Sequence, residues 1–283
     1  MQTGLVLEGG GMRGMFTMGI VDLMYERGIS VDGIVGVSAG AAFGCNYKSH
    51  QPGRALRYNM AMMGSRRYMS VGNLLRTGNL FDAEFCYHTV PTEIDIFDAA
   101  AFAADPTVFY VVCTDVVTGE PVYQRLDSAD YEALEWIRAT SSMPLVSKPV
   151  KLGGRLLLDG GMVDSIPLQK AEQLGYGRNI VILTQPRGFR KQPSRLMPLF
   201  RLFMRKYPKV VEAMARRHEM YNRELDYILG QERQGRALLI FPDAPLCIGR
   251  TEKNPMQMHH VYCLGRRKGE EYLERIRTFI TQK

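Results

Sequence analysis

The sequence predicts an α/β protein built on a mainly parallel sheet, and three observations carry that prediction. Short apolar runs at residues 5–7 and 33–37 are each followed by a glycine-bearing turn and a helical pattern, the strand–loop–helix alternation of a parallel sheet. Residues 108–114, Val-Phe-Tyr-Val-Val-Cys-Thr, form a nearly continuous β-type run, as in a strand buried on both faces. The 283 residues, 46% apolar and 23% charged, suit one large α/β domain and exclude a disordered or collagen-like chain.

The elements follow in order. The first strand ends at Glu8, a glycine run follows, and residues 12–27 have helical spacing, with Gly28 as a stop signal. After the second strand come Ser38-Ala39-Gly40 and a helix of small residues. The strand at 108–114 turns at Thr118-Gly119 and returns through Val122-Tyr123. Residues 130–140 read as a helix, 155–158 as a strand running into Asp159-Gly160-Gly161, 168–174 as a helix and 179–184 as a buried strand. Residues 185–198 carry Pro, Gly, Ser and four basic residues, the composition of a mobile loop. Pro208 starts a helix with a stripe of Val211, Met214, Tyr221, Leu225 and Ile228, and His218 falls on that stripe as a packed or satisfied core histidine. Residues 237–241 are the last strand, and Asn254-Pro255 caps a long C-terminal helix. With no repeat and no linker, residues 1–283 read as a single domain: a motif-bearing core at 3–185, a basic helical insert at 187–236, and a last strand and helix at 237–283.

Charge and cysteine content narrow the class. Residues 187–236 hold 13 Lys and Arg against 5 Asp and Glu, so the net charge of +7 belongs to this segment. Such a surplus suits an anionic surface. Five cysteines without a CxxC pattern predict reduced thiols, and no His stands near a Cys in metal-like spacing, so no metal is expected. No stretch approaches the ~18 uninterrupted apolar residues of a membrane span, and the N-terminus has no basic region ahead of an apolar run. The expected location is cytoplasmic.

Two glycine motifs carry the chemistry. Gly9-Gly10-Gly11-Met12-Arg13-Gly14 lies between a strand and a helix, where outward-pointing N–H groups and the helix dipole cradle an anion. The spacing Gly9-x-Gly11-x-x-Gly14 also fits a dinucleotide-binding fingerprint. However, Asp32, the candidate ribose ligand, precedes the second strand instead of following it, and no Gly-Lys-Ser/Thr completes a P-loop. The C-terminal end of the second strand instead carries Gly36-Val37-Ser38-Ala39-Gly40, the G-x-S-x-G nucleophile elbow, whose glycines allow the sharp turn that lifts a serine clear of the sheet. The N–H groups of Gly10 and Gly11 then point at the site of attack as an oxyanion hole, and Arg13 adds positive charge. A serine needs a base. An Asp-Gly pair alone is an ordinary turn former, but Asp159, after an apolar strand and before Gly160 and Gly161, is the better candidate, since no His follows an obvious strand end.

Taken together, G-G-G-x-R-G at 9–14, G-x-S-x-G at 36–40 and D-G-G at 159–161 resemble the signature of the patatin-like phospholipases. Asp164 and Pro167 stand where that family has D-G-G-x-x-D-x-x-P, and residues 139–144 resemble its A-S-x-x-x-P segment, with Thr140 a departure. The resemblance covers about residues 3–185. It implies a three-layer α/β/α sandwich and a Ser–Asp dyad hydrolase of lipid acyl esters, with Ser38 as nucleophile, Asp159 as base, an acyl-enzyme intermediate and no cofactor or metal. The cradle of Gly9, Gly10, Gly11 and Arg13 would be the oxyanion hole, and Gly36, Gly40, Gly160 and Gly161 would shape the turns. A lipid ester substrate and contact with an anionic inner membrane surface through residues 195–217 follow as expectations, and no nucleic acid is expected. Two other readings are a nucleotide-binding α/β protein using residues 9–14, which tight NAD(P) binding would reveal, and a catalytically silent lipid-binding module, which has no chemical need for both Ser38 and Asp159.

Overall fold

A computed structural model describes residues 1–62 and 64–281. Five strands run parallel: Thr3–Leu7 (β1), Gly33–Val37 (β2), Val108–Asp115 (β3), Arg178–Ile182 (β7) and Ala237–Ile240 (β8). Pro121–Leu126 (β4), Val150–Leu152 (β5) and Arg155–Asp159 (β6) are antiparallel to their neighbours. The order is β5-β6-β3-β2-β1-β7-β8, with β4 also on β3.

Successive strand residues face opposite sides, and the two faces build two cores. Leu5, Leu7, Ile34, Phe109, Val111, Ile180 and Ile182 pack against Gly14–Glu26 (α1), Ala39–Lys48 (α2), Tyr131–Thr140 (α6) and Pro255–Thr281 (α10). Val6, Val35, Val37, Val112, Val181 and Leu239 pack against Leu168–Gln173 (α7) and Pro208–Arg233 (α9). The three layers expected from the resemblance are thus present. Arg54–Met62 (α3), Val71–Thr77 (α4), a π-helical stretch at Phe85–Ile94 and Ala99–Ala104 (α5) follow α2 before β3. Among the described residues no helix is long and apolar enough to cross a membrane.

Tyr221, Leu225 and Ile228 on the α9 stripe are buried in the second core, so α9 is part of one layer. One expectation is corrected. The loop at 185–198 is not loose. Arg187 pairs with Glu232 through both terminal nitrogens, Arg190 with Asp226, and the Lys191 N–H and C=O both bond the Asn222 side chain, strapping the loop along α9. His218 is half-buried, and no partner is found for its Nδ1 among the described residues, so it is the packed histidine the stripe predicts.

Candidate active site

The site forms where two strands meet end to end on a third. β4 occupies one edge of β3, so β2, paired with residues 108–112, and β6, paired with residues 113–115, share the other. Val37 sits opposite Val112 and Asp159 opposite Cys113. The C-terminal end of β2 and that of β6 therefore abut from opposite directions. Ser38 follows one and Asp159 closes the other, and the Ser38 hydroxyl donates to Asp159 Oδ2 at 2.6 Å.

The elbow is strained as its motif requires. Ser38 has φ 54° and ψ −126°, a conformation that costs a non-glycine residue about 1–3 kcal/mol and persists only when its surroundings enforce it. Close approach on both sides does so. A Cβ on Gly40 would stand 2.4 Å from the Leu7 carbonyl oxygen, and one on Gly160 would stand 2.2 Å from that of Val112. Gly36 lies against the Ala41 backbone and Gly9 against Ser38 itself. Thr140 braces the turn: its Oγ1 accepts from the Ser38 N–H at 3.0 Å and donates to the Val112 carbonyl at 2.5 Å. The position that departs from the family pattern thus holds the elbow in place.

Asp159 is buried and held at both ends. Its Oδ1 accepts from the Gly161 N–H at 2.8 Å, its backbone N–H donates to Ser142, and its carbonyl accepts from Thr114 Oγ1. Burial raises its pKa above the ordinary carboxylate value. The Ser38 hydroxyl, the Gly161 N–H and the positive charges of Arg217 and Arg250 pull the other way without cancelling that rise. Arg217 Nε also donates to the Gly161 carbonyl at 2.5 Å.

The glycine loop lies beside Ser38. Gly11 has φ 59°, and the Met12 N–H is taken by the Arg250 carbonyl at 3.2 Å. Gly9, Gly10, Gly11 and Arg13 line a cavity of about 280 Å³ together with Ser38 and Asp159. A second cavity of about 130 Å³, mainly apolar and aromatic, opens on the other side and shares Gly11, Ser38, Met143 and Arg250 with the first. Asp32, by contrast, is at the N-terminal end of β2, where its Oδ2 accepts from the Thr3 N–H. It stands at the opposite strand end from the glycine loop, away from where a ribose would lie.

Comparison with known proteins then assigns the fold. A sequence model described as patatin-like phospholipase matches residues 5–171, more than half of the chain. The chain belongs to the patatin-like phospholipase family. With the family comes the enzyme class, a hydrolase of lipid acyl esters. A second model, a domain of unknown function (DUF6363), matches residues 207–281, where sequence reading placed no motif. An uncharacterized protein of Escherichia coli, YjjU, is 29% identical, covering 99% of this chain and 79% of its own. An uncharacterized NTE family protein of Mycobacterium bovis is 30% identical over 68% of this chain and 51% of its own length. Lysophospholipase NTE1 of Candida glabrata is 30% identical over 61% of this chain and 10% of its own. This patatin-like chain thus spans about half of the mycobacterial relative and a tenth of the yeast one. The crystal structure of VipD from Legionella pneumophila aligns over 96% of this chain and 67% of that one, with a TM-score of 0.47 and 12% identity.

Sequence reading missed three residues that line the larger cavity, Lys191, Arg217 and Arg250. It also read no His beside a Cys, whereas His259 and Cys263 sit one turn apart on α10, with Sγ 3.7 Å from Nδ1. No third ligand joins them among the described residues.

Proposed function

We propose that this protein hydrolyses acyl esters of phospholipids or lysophospholipids through a Ser38 acyl-enzyme, with Asp159 as the only side-chain base. The observation that carries the reading is the 2.6 Å hydrogen bond from the Ser38 hydroxyl, on a strained elbow facing two cavities, to a buried carboxylate. As Ser38 Oγ attacks the acyl carbonyl, its proton passes to Asp159. Gly10 and Gly11, for whose N–H groups no acceptor is found among the described residues, receive the oxyanion, with Gly9 shaping the loop and Arg13 supplying positive charge nearby. Collapse of the tetrahedral intermediate breaks the ester C–O bond, and the proton on Asp159 goes to the leaving alkoxide. A water then gives its proton to Asp159 and attacks the acyl-enzyme, and the proton returns to Ser38 Oγ as the acid leaves. Burial serves this cycle, because a carboxylate whose pKa lies above the ordinary value takes a proton more readily. No cofactor or metal enters the scheme.

The lipid reaches the site from an interface. Met197–Phe203 (α8) exposes Leu199, Leu202 and Phe203, while Leu196 and Phe200 line the larger cavity, and Arg195, Arg201, Arg205 and Lys206 surround them. Such a helix suits peripheral contact with an anionic membrane face, with the same segment serving as the rim of the site. The catalytic residues and α9 share one unit in this reading, because α9 covers the sheet face behind them. Labelling with a fluorophosphonate tests the chemistry: wild type is expected to react and Ser38→Ala to stay unlabelled, and labelling that survives the substitution places the nucleophile elsewhere.

A further inference from the structure

The larger cavity carries more positive charge than the proposed hydrolysis uses. Arg13, Lys191, Arg217 and Arg250 line it, against two carboxylates, Glu8 and Asp159. Neither carboxylate is spare. Glu8 accepts from the Thr184 N–H at 2.6 Å and the Tyr221 hydroxyl at 2.7 Å, and Asp159 accepts from Ser38 and Gly161. Among the described residues none of the four cations forms an ion pair. Arg13 and Arg217 donate to backbone carbonyls, and the Lys191 ammonium stands 4.1 Å from the centre of the Tyr221 ring. Four gathered cations against two carboxylates repel each other. Burial, and then Arg217 with Arg250 and Arg13 behind it, push the Lys191 ammonium down to about 7, against the opposing pull of Glu8. An anion seated among them would relieve that repulsion.

We infer that Lys191, Arg217 and Arg250 form a subsite for the phosphate of an anionic acyl-lipid head group, placed beside the ester at Ser38, and that zwitterionic and uncharged heads are disfavoured there. The inference rests on the proposed reading of Ser38 only for where the ester lies. Three elements converge to make the subsite: the strapped loop, α9, and the segment between β8 and α10. All three residues lie outside the 5–171 match to the family, so the charge is a property of this chain's later part. Arginine forks fit phosphate oxygens in pairs, and lysine adds a point charge. A choline or ethanolamine ammonium entering the same cavity meets cations and no uncommitted carboxylate. The apolar cavity across Ser38, walled by Phe43, Tyr58, Phe97, Phe102 and Ile137, is free to take the acyl chain.

The test is equilibrium binding by titration calorimetry to Ser38→Ala protein, which should hold its ligands without turnover. The ligands are short-chain hexanoylglycerol phosphate, hexanoylglycerol, hexanoylglycerophosphocholine and inorganic phosphate. The anionic lipid should bind at least about tenfold more tightly than the uncharged and zwitterionic ones, a difference of about 1.4 kcal/mol. Adding Lys191→Met and Arg250→Gln should abolish that margin while hexanoylglycerol affinity stays within about twofold. Equal affinity for all three lipids, or a margin that survives the double substitution, overturns the subsite. Inorganic phosphate binding as tightly as the anionic lipid assigns the cations to free phosphate and overturns the head-group part. Fluorophosphonate labelling of wild type reads the chemistry separately. Labelling at Ser38 without a lipid preference keeps the hydrolase and loses the subsite, and the reverse pattern keeps the subsite and loses the hydrolase.

Discussion

The two cavities that meet at Ser38 are walled by different parts of the chain and by different chemistry. The smaller is built almost wholly from residues 11–143, with aromatic and aliphatic side chains from α2, α6, the π-helical stretch and the loops between them. The larger draws Arg217, Lys191, Phe200 and Met214 from the segment after residue 185 and adds them to the glycine loop and the turn after β6. The wall they share holds the Ser38 hydroxyl. This division teaches that Ser38, Asp159 and the apolar cavity belong almost wholly to the part of the chain before residue 171, whereas the segment after residue 185 adds Lys191, Arg217 and Arg250 to the larger cavity.

The shared wall is where substitution should do most. Ser38→Ala should remove hydrolysis of a short-chain nitrophenyl ester with little change in thermal midpoint, because the hydroxyl faces the cavities and not the core. Asp159→Asn should cost ~10²–10⁴ in rate, as expected for loss of a general base. The base must be ionised, and burial raises its pKa above the ordinary 3.8. Activity should therefore fall as pH drops through that raised value. The sign for stability is opposite: a carboxyl that binds its proton more tightly when folded adds stability as pH falls. A pH profile of kcat/KM beside one of thermal midpoint separates the two, and loss of activity that merely follows unfolding would remove Asp159 from the scheme.

The rim of the larger cavity should come next. Each basic residue near an anionic bilayer contributes about 1 kcal/mol, so Arg201→Glu, Arg205→Glu and Lys206→Glu together should weaken binding to phosphatidylserine-rich vesicles about a hundredfold or more. Salt should weaken it as well. Sedimentation with vesicles reads this, and equal binding to neutral vesicles would leave α8 as a rim alone. In the apolar cavity the effect should be smaller and selective. Ala133→Leu narrows it, and hydrolysis of long-chain nitrophenyl esters should fall about tenfold relative to short ones, the scale on which a pocket discriminates by methylenes. A chain-length profile unchanged by that substitution would move the acyl group to the other cavity. The smallest effect should come from His218→Ala, within about threefold of wild type in the same assay. A loss matching that of Asp159→Asn, with folding intact, would replace the dyad by a triad.

How much of this was legible in the sequence follows from how local each constraint is. The Ser38 elbow and the glycine loop are short motifs in which turn geometry dictates neighbouring residues, so residue order alone marks them. Asp159 could be found as a strand-end Asp-Gly-Gly, but not the direction from which β6 reaches Ser38, since antiparallel pairing with β3 leaves no mark in five residues. Of the helices between β2 and β3, only α2 was read from the sequence; α4 and α5 are short, seven and six residues, and leave little periodicity to read. Lys191, Arg217 and Arg250 look like surface charge in the sequence, and only folding brings them together. The strapped loop escaped for a similar reason: its partners Asn222, Asp226 and Glu232 lie 31, 36 and 45 residues away.

The end-to-end meeting of β2 and β6 on one edge of β3 works as a vernier. The gap between Ser38 and Asp159 is measured off along a third strand in ladder rungs. A slip of either strand by a single rung moves its end by about 3.3 Å and turns its side chains to the other face of the sheet. Strand register thus sets whether the Ser38–Asp159 hydrogen bond can form. A single residue inserted into β3 between the buried Val112 and Cys113, neither of which lines the cavities, would mis-set the scale and separate Ser38 from Asp159.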